Sequence, residues 1–263
     1  MTTSTPLSKD TVRQQSPVVL ITRPEGQQLA FADGCRALGY TIALLPCLQI
    51  LPCRVDQDQL DTLLATHNTA LFTSVNAVKL AHEQRPLPWP DHQVHAIGGA
   101  TAKALEHLQQ PVTLVPQAPF TSESYLEQLA HQPSGSLLII KGCGGRDLIQ
   151  SRLTARGWHV GSIAVYERVL PNIDSQTIDT LFVNCVPDII SVTSNETLTN
   201  LCKLCSSYKD TLTSIPLIAN SQRCAQLASE LGFRHTTLVA NPAGDQGQLA
   251  CLAHWKKTRF DTR

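Results

Sequence analysis

Short apolar runs alternate with amphipathic stretches along most of this 263-residue chain. Most of the apolar runs are continuous, which is typical of parallel strands that helices cover on both faces. They predict strands over residues 18–22, 70–73, 95–97, 137–140, 188–193 and 217–219. Because strands and helices follow one another in turn, the fold class is predicted to be α/β with right-handed crossovers.

A helix, a glycine and a strand recur as a unit. Helices predicted over residues 31–38, 148–156 and 227–231 end at Gly39, Gly157 and Gly232, and strands are predicted over 40–45, 158–166 and 233–240. Glycine adopts the left-handed conformation after a helix at little cost, so each one marks a turn into a sheet. The third of these strands has the weakest pattern.

Helix starts are predicted from side chains that can bind the free N–H groups of a first turn. Thr193 and Glu196 have the spacing of a capping box. Ser124 and Glu127 have the same spacing. Pro24 lies where the first turn of a helix tolerates proline. We therefore expect helices to begin beside these residues.

Two pairs of segments resemble each other at a distance of about 120 residues. LFTSVNAVKLA, from Leu71, resembles SVTSNETLTNL, from Ser191, and HAIGGATAKALEHL, from His95, resembles PLIANSQRCAQLASEL, from Pro216. So long a spacing indicates two similar domains, with a cleft expected between them. A boundary at residues 131–136 would give a tandem order. The likeness of residues 137 onward to residues 18 onward would exchange the halves, and the pattern leaves both arrangements open.

The charge balance argues against a nucleic-acid partner. The chain has 21 basic and 21 acidic residues and a pI of about 7.1, whereas binding a phosphate backbone requires a concentrated basic face. Lys256 and Lys257 form a short basic run in the tail, which we expect to be solvated.

The ends of the chain and its hydropathy predict a cytoplasmic protein. Residues 1–17 are polar and lack the apolar core of a signal peptide, so they are predicted to be disordered. No segment approaches the roughly 18 apolar residues that a membrane span requires. Without an export signal, the compartment is predicted to be cytosolic and reducing.

The cysteine spacing does not indicate a metal site. Among nine cysteines, only Cys202 and Cys205 form a C-x-x-C pair, and no second pair stands at zinc spacing. Both share a helical face with Leu198 and Leu201, which predicts core packing. Cys47 and Cys53 flank a short strand-like run and receive the same interpretation. No motif indicates a metal, a nucleotide or another cofactor.

Two loops combine a cation with a predicted helix start. In ITRPEGQ, Arg23 could bind an anion at a helix N-terminus, or it could pair with a nearby acid. In IIKGCGGRD, Lys141 and Arg146 flank glycines, among them Gly142, that let the backbone approach a ligand. The second loop lacks the Walker and dinucleotide spacings. It is predicted to be an anion-binding turn, with a plain tight turn as the alternative.

Hydroxyl side chains recur at the turns between strands and helices: Ser74, Thr101, Ser194 and Ser221. Each one alone is typical of a helix N-cap. Ligands of α/β proteins bind at the carboxyl ends of the strands, so the recurrence also favours substrate contacts. Tyr166, at the end of another predicted strand, could pack between the domains or donate a proton to a leaving hydroxyl. The sequence alone favours packing.

Eight segments in this order resemble the uroporphyrinogen-III synthase family: ITRPEGQ, LFTSVNAV, AIGGATAKAL, FTSESYLEQL, IIKGCGGRDLI, VYERV, VTSNETL and NSQRCAQLASELGF. The resemblance covers nearly all of residues 18–240. It implies two Rossmann-like or flavodoxin-like parallel-sheet domains joined by a two-stranded linker, with the second inserted into the first. Domain 1 would comprise residues 18–50 and 170–256, and domain 2 residues 51–169.

The resemblance also implies a monomeric, cofactor-free cytoplasmic enzyme. Such enzymes cyclise hydroxymethylbilane to uroporphyrinogen III, inverting the D ring and releasing water. The alternative from another functional class is a non-catalytic two-domain module that binds a small ligand.

Residue roles follow from the matched motifs. Tyr166 matches the family's tyrosine thought to assist hydroxyl departure, and is the predicted catalytic residue. The predicted substrate-binding residues are Arg23, Ser74, Thr101, Lys141, Gly142, Arg146, Ser194, Ser221 and Arg223. Many relatives carry arginine where this chain has Lys141, so a bidentate contact is not expected there.

Overall fold

The computed structural model describes residues 16–260. Its strands are β1 (Val18–Ile21), β2 (Thr41–Leu44), β3 (Gln49–Pro52), β4 (Thr69–Phe72), β5 (Gln93–Ala96), β6 (Ser136–Gly142), β7 (His159–Val169), β8 (Ile189–Ser191), β9 (Leu217–Ala219) and β10 (Leu238–Val239). Its α-helices are α1 (Leu29–Ala37), α2 (Gln57–Thr66), α3 (Val75–Gln84), α4 (Gly99–His107), α5 (Ser122–Gln128), α6 (Leu148–Thr154), α7 (Ser175–Asp179), α8 (Asn195–Leu204), α9 (Lys209–Thr213), α10 (Gln222–Glu230) and α11 (Asp245–Phe260). Residues 1–15 of the predicted lead-in lie outside the described residues.

The described residues divide into two compact units. Unit 1 comprises residues 16–49 and 170–260, and unit 2 comprises residues 50–169. One sheet has the strand order β10-β9-β8-β1-β2 and the other β3-β7-β6-β4-β5. Neighbouring strands from β10 to β2, and from β7 to β5, pair in parallel. The carboxyl ends of these strands therefore meet at one edge of each sheet.

Both faces of the sheet in unit 2 are buried, as the continuous apolar runs predict. Leu138 and Ile140 of β6 belong to one core cluster, which includes residues of α3 and α4. Leu137 and Ile139 belong to another, which includes residues of α5 and α6. Because successive strand side chains point to opposite faces, a run of apolar residues fills both clusters. The predicted α/β class with parallel sheets is confirmed.

The turns between helices and strands follow the predicted chemistry. Gly39, Gly157 and Gly232 have φ values of 75°, 80° and 92°, as expected of glycines that end helices. The strands after them differ from the prediction in length. β7 continues to Val169, three residues past the predicted end. The weak third strand shortens to the two residues of β10.

Both predicted capping boxes place the N-cap wrongly, by one residue in α8 and by three residues in α5. Ser194, and not Thr193, caps α8, because the Ser194 Oγ accepts a hydrogen bond of 3.1 Å from the Thr197 N–H. Thr121, and not Ser124, caps α5, because the Thr121 Oγ1 accepts a bond of 3.2 Å from the Ser124 N–H. Both capping residues are extended, as a cap requires.

The helix start predicted at Pro24 is also wrong. The Gln27 N–H donates to the Pro24 carbonyl at 3.1 Å, which closes a turn, and α1 begins only at Leu29. The tail differs as well, because residues 245–260 form α11. Lys256, expected to be solvated, donates to the Leu38 carbonyl at 2.7 Å.

The C-x-x-C pair packs as predicted. Cys205 is buried in a core cluster with Leu198 and Leu201, and Cys202 packs against the same cluster. Among residues 16–260, no group of three histidine, cysteine, aspartate or glutamate side chains could hold a metal ion. No helix in this described range is long and apolar enough to cross a membrane.

We expect unfolding free energy to fall on acidification because of His95. This side chain is buried on β5, its Nδ1 lies 2.8 Å from the Tyr125 hydroxyl, and burial lowers the pKa of His95 to about 4. An unfolded histidine titrates near pH 6.5, so the unfolded chain binds a proton between pH 6.5 and 4 that the folded chain does not. The contribution of neutral His95 to the unfolding free energy is thus fully present above about pH 6.5. It is lost toward pH 4, by about 3 kcal/mol in all.

Urea unfolding at several pH values measures this effect. A His95→Gln variant should show a flatter decline between pH 6.5 and 4.5, whatever its stability at neutral pH. The matched control is His254→Gln, which removes an exposed histidine and should keep the wild-type slope. Equal slopes in His95→Gln and wild type would contradict the assignment.

Candidate functional site

A polar pocket of about 280 Å³ lies at the carboxyl edge of the sheet in unit 2. Residues at the ends of β4 and β6, on β7 and in the turn after β6 line it. Five predicted site residues are brought together there: Ser74, Lys141, Gly142, Arg146 and Tyr166. This is the edge where parallel α/β sheets bind ligands, because the loops and helix N-termini converge on it. We call it the carboxyl-edge pocket.

Ser74 and Tyr166 form a hydroxyl pair in this pocket. Ser74 is the N-cap of α3, and its Oγ accepts a hydrogen bond of 3.1 Å from the Ala77 N–H. The same Oγ lies 3.1 Å from the hydroxyl of Tyr166, which is 3% exposed. The cap fixes the serine, and the serine in turn fixes the phenol. Tyr166 packs in a core cluster of unit 2 and also lines the pocket. Its role as a proton donor stays a prediction.

Gly142 makes room for the Tyr166 ring. The register of β6 with β7 shifts between Lys141 and Gly142, which places Gly142 opposite Tyr166. A Cβ added at Gly142 would lie 2.6 Å from the Tyr166 Cζ, which is closer than packed carbon atoms approach. The sequence predicted close approach of the Gly142 backbone to a ligand. The structure shows close approach to the aromatic ring.

The turn after β6 combines conformational freedom with positive charge. Gly144 and Gly145 have φ values of 71° and 87°, which favour glycine. The Lys141 Nζ lies 2.6 Å from the Asp147 Oδ1. Arg146 contacts Glu123 at 2.7 Å and lowers the pKa of that carboxyl group. Such exposed ion pairs are weak, so a ligand carboxylate could replace either acid.

Sequence reasoning missed other polar residues of the pocket. Thr73 and Arg168 line it as well. Arg168 follows Tyr166 by two positions on β7, so the two side chains share a face of the strand. This spacing of two residues along a predicted strand could have identified Arg168 from the sequence. Thr73 directly precedes Ser74 and donates to the Ile140 carbonyl at 3.1 Å.

Thr101 does not line the carboxyl-edge pocket. It is the third residue of α4 and is buried, with an exposed fraction of 4%. Gly98 occupies the N-cap position. The prediction that Thr101 lies in the turn is therefore wrong, because Gly98 caps the helix and Gly99 is its first residue.

The remaining predicted residues lie in unit 1. Ser194 caps α8, and Ser221 caps α10 by accepting a bond of 3.2 Å from the Cys224 N–H. Arg223 is exposed in the first turn of α10. With Ser74 of unit 2, three of the four predicted hydroxyl turns are confirmed as N-caps. Their contacts with substrate stay a prediction.

Arg23 takes the alternative role considered from the sequence. It is 8% exposed, its Nη1 lies 2.6 Å from the Asp245 Oδ1, and its guanidinium lies over the Phe31 ring at 4.2 Å. Asp245 begins α11, so the ion pair fastens this helix to the end of β1. The expectation of an open anion site beside Arg23 is corrected, because the cation is already paired and α1 begins at Leu29.

Comparisons with known proteins bear on the family and the fold. The family model described as "Uroporphyrinogen-III synthase HemD" matches residues 30–245. Uroporphyrinogen-III synthase of Salmonella typhimurium is 31% identical over 239 residues, which cover 86% of this chain and 96% of that protein. The Escherichia coli enzyme of the same name is 28% identical over 237 residues, with the same two coverages.

Solved structures show the same fold at lower identity. A mutant uroporphyrinogen III synthase from Thermus thermophilus gives a TM-score of 0.61 at 20% identity, covering 92% of this chain and 100% of that one. Uroporphyrinogen-III synthetase from Helicobacter pylori gives 0.65 at 16% identity, covering 91% and 99%.

Fold and site together define an α/β protein of two parallel-sheet units with a polar pocket at a carboxyl sheet edge. The chain belongs to the uroporphyrinogen-III synthase family. The resemblance found in the sequence is thereby confirmed. The function that these findings support is uroporphyrinogen-III synthase, a lyase of tetrapyrrole biosynthesis. The non-catalytic binding module is not favoured.

Proposed function

We propose that the carboxyl-edge pocket of unit 2 holds the reacting end of hydroxymethylbilane while the chain converts it to uroporphyrinogen III. The observation that carries this proposal is the hydroxyl pair of Tyr166 and Ser74, set beside a cationic glycine turn. The pair supplies a proton donor, and the turn supplies partners for carboxylates. Both are needed for a substrate that carries many carboxylates and loses a hydroxyl.

Substrate binding would rely on dispersed donors more than on net charge. The chain has a formal net charge of zero. At the pocket, the positive end of the α3 dipole favours anions, and α3 is ten residues long. Lys141 and Arg146 could exchange their exposed acid partners for substrate carboxylates. The volume of about 280 Å³ fits part of a linear tetrapyrrole, so this pocket would hold one end of it.

The chemical step would begin with departure of the substrate hydroxyl. The Tyr166 hydroxyl donates its proton and the C–O bond breaks. Water departs, and a cationic azafulvene-like intermediate remains. Attack by the substituted D-ring carbon then gives a spiro form, which rearranges to the inverted ring. The proton released on ring closure returns to the Tyr166 oxygen, so the enzyme ends unchanged. Ser74 would hold the phenol in place throughout.

Holding the two ends of a flexible substrate together would supply much of the rate. Orientation of reacting groups is worth about 7–11 kcal/mol in well-oriented intramolecular reactions. No cofactor enters this scheme, because protonation and orientation complete the reaction. We also propose that the chain acts as a cytoplasmic monomer without a nucleic-acid partner. The neutral charge balance supports the absence of a nucleic-acid partner, and the resemblance to the family supports the rest.

Product isomer analysis tests the proposed function. The purified protein, incubated with hydroxymethylbilane, should yield the type III isomer after oxidation and chromatography. A sample without protein gives the spontaneous type I isomer and serves as the control. Type I alone in the presence of folded protein would overturn the proposed function.

A further inference from the structure

Two cysteine sulfur atoms lie in contact beside the carboxyl-edge pocket. The Sγ atoms of Cys53 and Cys143 are 3.3 Å apart, although 90 positions separate the residues in the chain. Cys53 directly follows β3, and Cys143 directly follows β6. Both are thiols in this structure. The folded chain, and not local sequence, therefore creates this pair.

The backbone holds both cysteines against adjacent residues of β7. The Cys53 N–H donates to the Val165 carbonyl at 3.0 Å, and the Cys143 N–H donates to the Tyr166 carbonyl at 2.7 Å. Because β7 lies between β3 and β6 in the sheet, the two thiols approach each other next to the catalytic tyrosine of the proposed mechanism.

The surroundings of this pair differ from those of the core cysteines. Cys35, Cys47, Cys205 and Cys224 are buried, whereas Cys143 is exposed and Cys53 is partly exposed. Thiols in a closed core neither meet an oxidant nor change partners. The Cys53–Cys143 pair combines contact with access, which is the arrangement that permits reversible oxidation.

We propose that Cys53 and Cys143 are a reversible modification site, a dithiol that hydrogen peroxide converts to a disulfide. The Cys143 sulfur attacks one peroxide oxygen, the O–O bond breaks, and Cys143 becomes a sulfenic acid as water leaves. The Cys53 sulfur then attacks the Cys143 sulfur, the S–O bond breaks, and a second water carries away the oxygen. Two thiols lose two electrons, and the peroxide gains them.

The order of these steps follows from exposure. Cys143 is the exposed partner, so it meets the oxidant first, and Cys53 resolves the intermediate. Burial, followed by the hydrogen bond with Cys143, raises the pKa of Cys53 to about 11. Since the thiolate is the attacking species, the raised pKa of Cys53 slows its own attack on peroxide.

A disulfide would alter the pocket because its turn would move. The S–S bond is about 2.05 Å long, so the two sulfur atoms must approach by about 1 Å. Gly144 and Gly145, which follow Cys143, give the turn the freedom to do so and themselves line the pocket. Gly142, which precedes Cys143, packs against the Tyr166 ring. Oxidation would therefore displace the wall of the pocket next to the phenol.

Peptide mapping tests whether the bond forms. The full chain is treated with hydrogen peroxide, free thiols are alkylated, and the protein is digested without reductant. A linked peptide containing Cys53 and Cys143, lost after dithiothreitol, is expected. In Cys53→Ser, dimedone should instead trap a sulfenic acid at Cys143. Separate Cys53 and Cys143 peptides in the oxidised wild type, whether alkylated or singly oxidised, would overturn the proposal.

A second experiment measures turnover before and after oxidation, and its outcome does not depend on which isomer the protein forms. A displacement of about 1 Å can cost up to about 100-fold in rate, so oxidation is expected to lower turnover about tenfold, with recovery in dithiothreitol. Cys53→Ser should retain basal activity and resist this reversible loss, whereas Cys185→Ser, an exposed cysteine of unit 1, should behave as wild type. A linked peptide with unchanged turnover would refute the effect on the pocket.

Discussion

Replacing Tyr166 with phenylalanine is expected to lower kcat about 100-fold, the scale of a lost general acid, and to change KM by less than about threefold. The variant keeps the buried ring and the packing against Gly142, and it removes only the hydroxyl 3.1 Å from the Ser74 Oγ. Proton donation occurs in the transition state, so its loss appears in kcat. Steady-state rates of hydroxymethylbilane consumption, corrected for the spontaneous reaction, measure the two constants.

Tyr125→Phe is the matched control for this prediction. Tyr125 is a buried tyrosine of the same unit, and its hydroxyl lies against His95 outside the carboxyl-edge pocket. Its replacement should reduce stability and leave kcat within about twofold, since a buried hydroxyl away from the reacting groups contributes only to folding. An unchanged kcat in Tyr166→Phe would remove the phenol from the mechanism.

Replacing Gly142 with alanine is expected to reduce both stability and turnover. The new Cβ would lie 2.6 Å from the Tyr166 Cζ and 2.7 Å from its Cε2, and the ring is 3% exposed in a packed cluster. Relief requires displacement of the ring or of β6. We expect about 2 kcal/mol less unfolding free energy, as for other overpacked cores. Because the phenol moves with its ring, kcat should fall at least about tenfold.

Gly99→Ala is the matched control for the second prediction. Gly99 is also a glycine of unit 2, at the first position of α4, and an added Cβ there meets no atom within 4 Å. Alanine should leave both urea stability and kcat close to wild type or raise stability slightly. If Gly142→Ala behaved like Gly99→Ala, the close packing of Gly142 against Tyr166 would not position the phenol.

The sequence was most informative where structure depends on neighbouring residues. Continuous apolar runs identified the parallel strands, since strands buried on both faces need no polar alternation. The hydroxyl residues Ser74, Ser194 and Ser221 cap their helices because a free first-turn N–H lies within reach of a side chain three positions earlier. Five of the predicted site residues then fall in one pocket because parallel strands end at one edge.

The predicted helix starts failed where the same short segment allows two local structures. Thr193 and Ser194 both could cap α8, and the choice depends on which backbone is extended. At Pro24, a turn closed by Gln27 replaces the expected helix start. The spacing of side chains is the same in either case, so the pattern alone does not distinguish them.

Contacts distant in sequence could not be predicted. The partner of Arg23 is Asp245, 222 positions away, and that of Cys53 is Cys143, 90 positions away. The space for the Tyr166 ring depends on a register shift between β6 and β7. The register shift belongs to a parallel strand pair, and the two side-chain contacts depend on how distant elements pack. A single sequence specifies neither.

A crystal structure of the protein with uroporphyrinogen III, prepared without oxygen, tests the central claim most directly. We expect tetrapyrrole density in the carboxyl-edge pocket, with a carboxylate against Lys141 or the N-terminus of α3 and the Tyr166 hydroxyl facing the ring junction closed in the reaction. A bound tetrapyrrole with this pocket empty, and Tyr166 remote from it, would contradict the account.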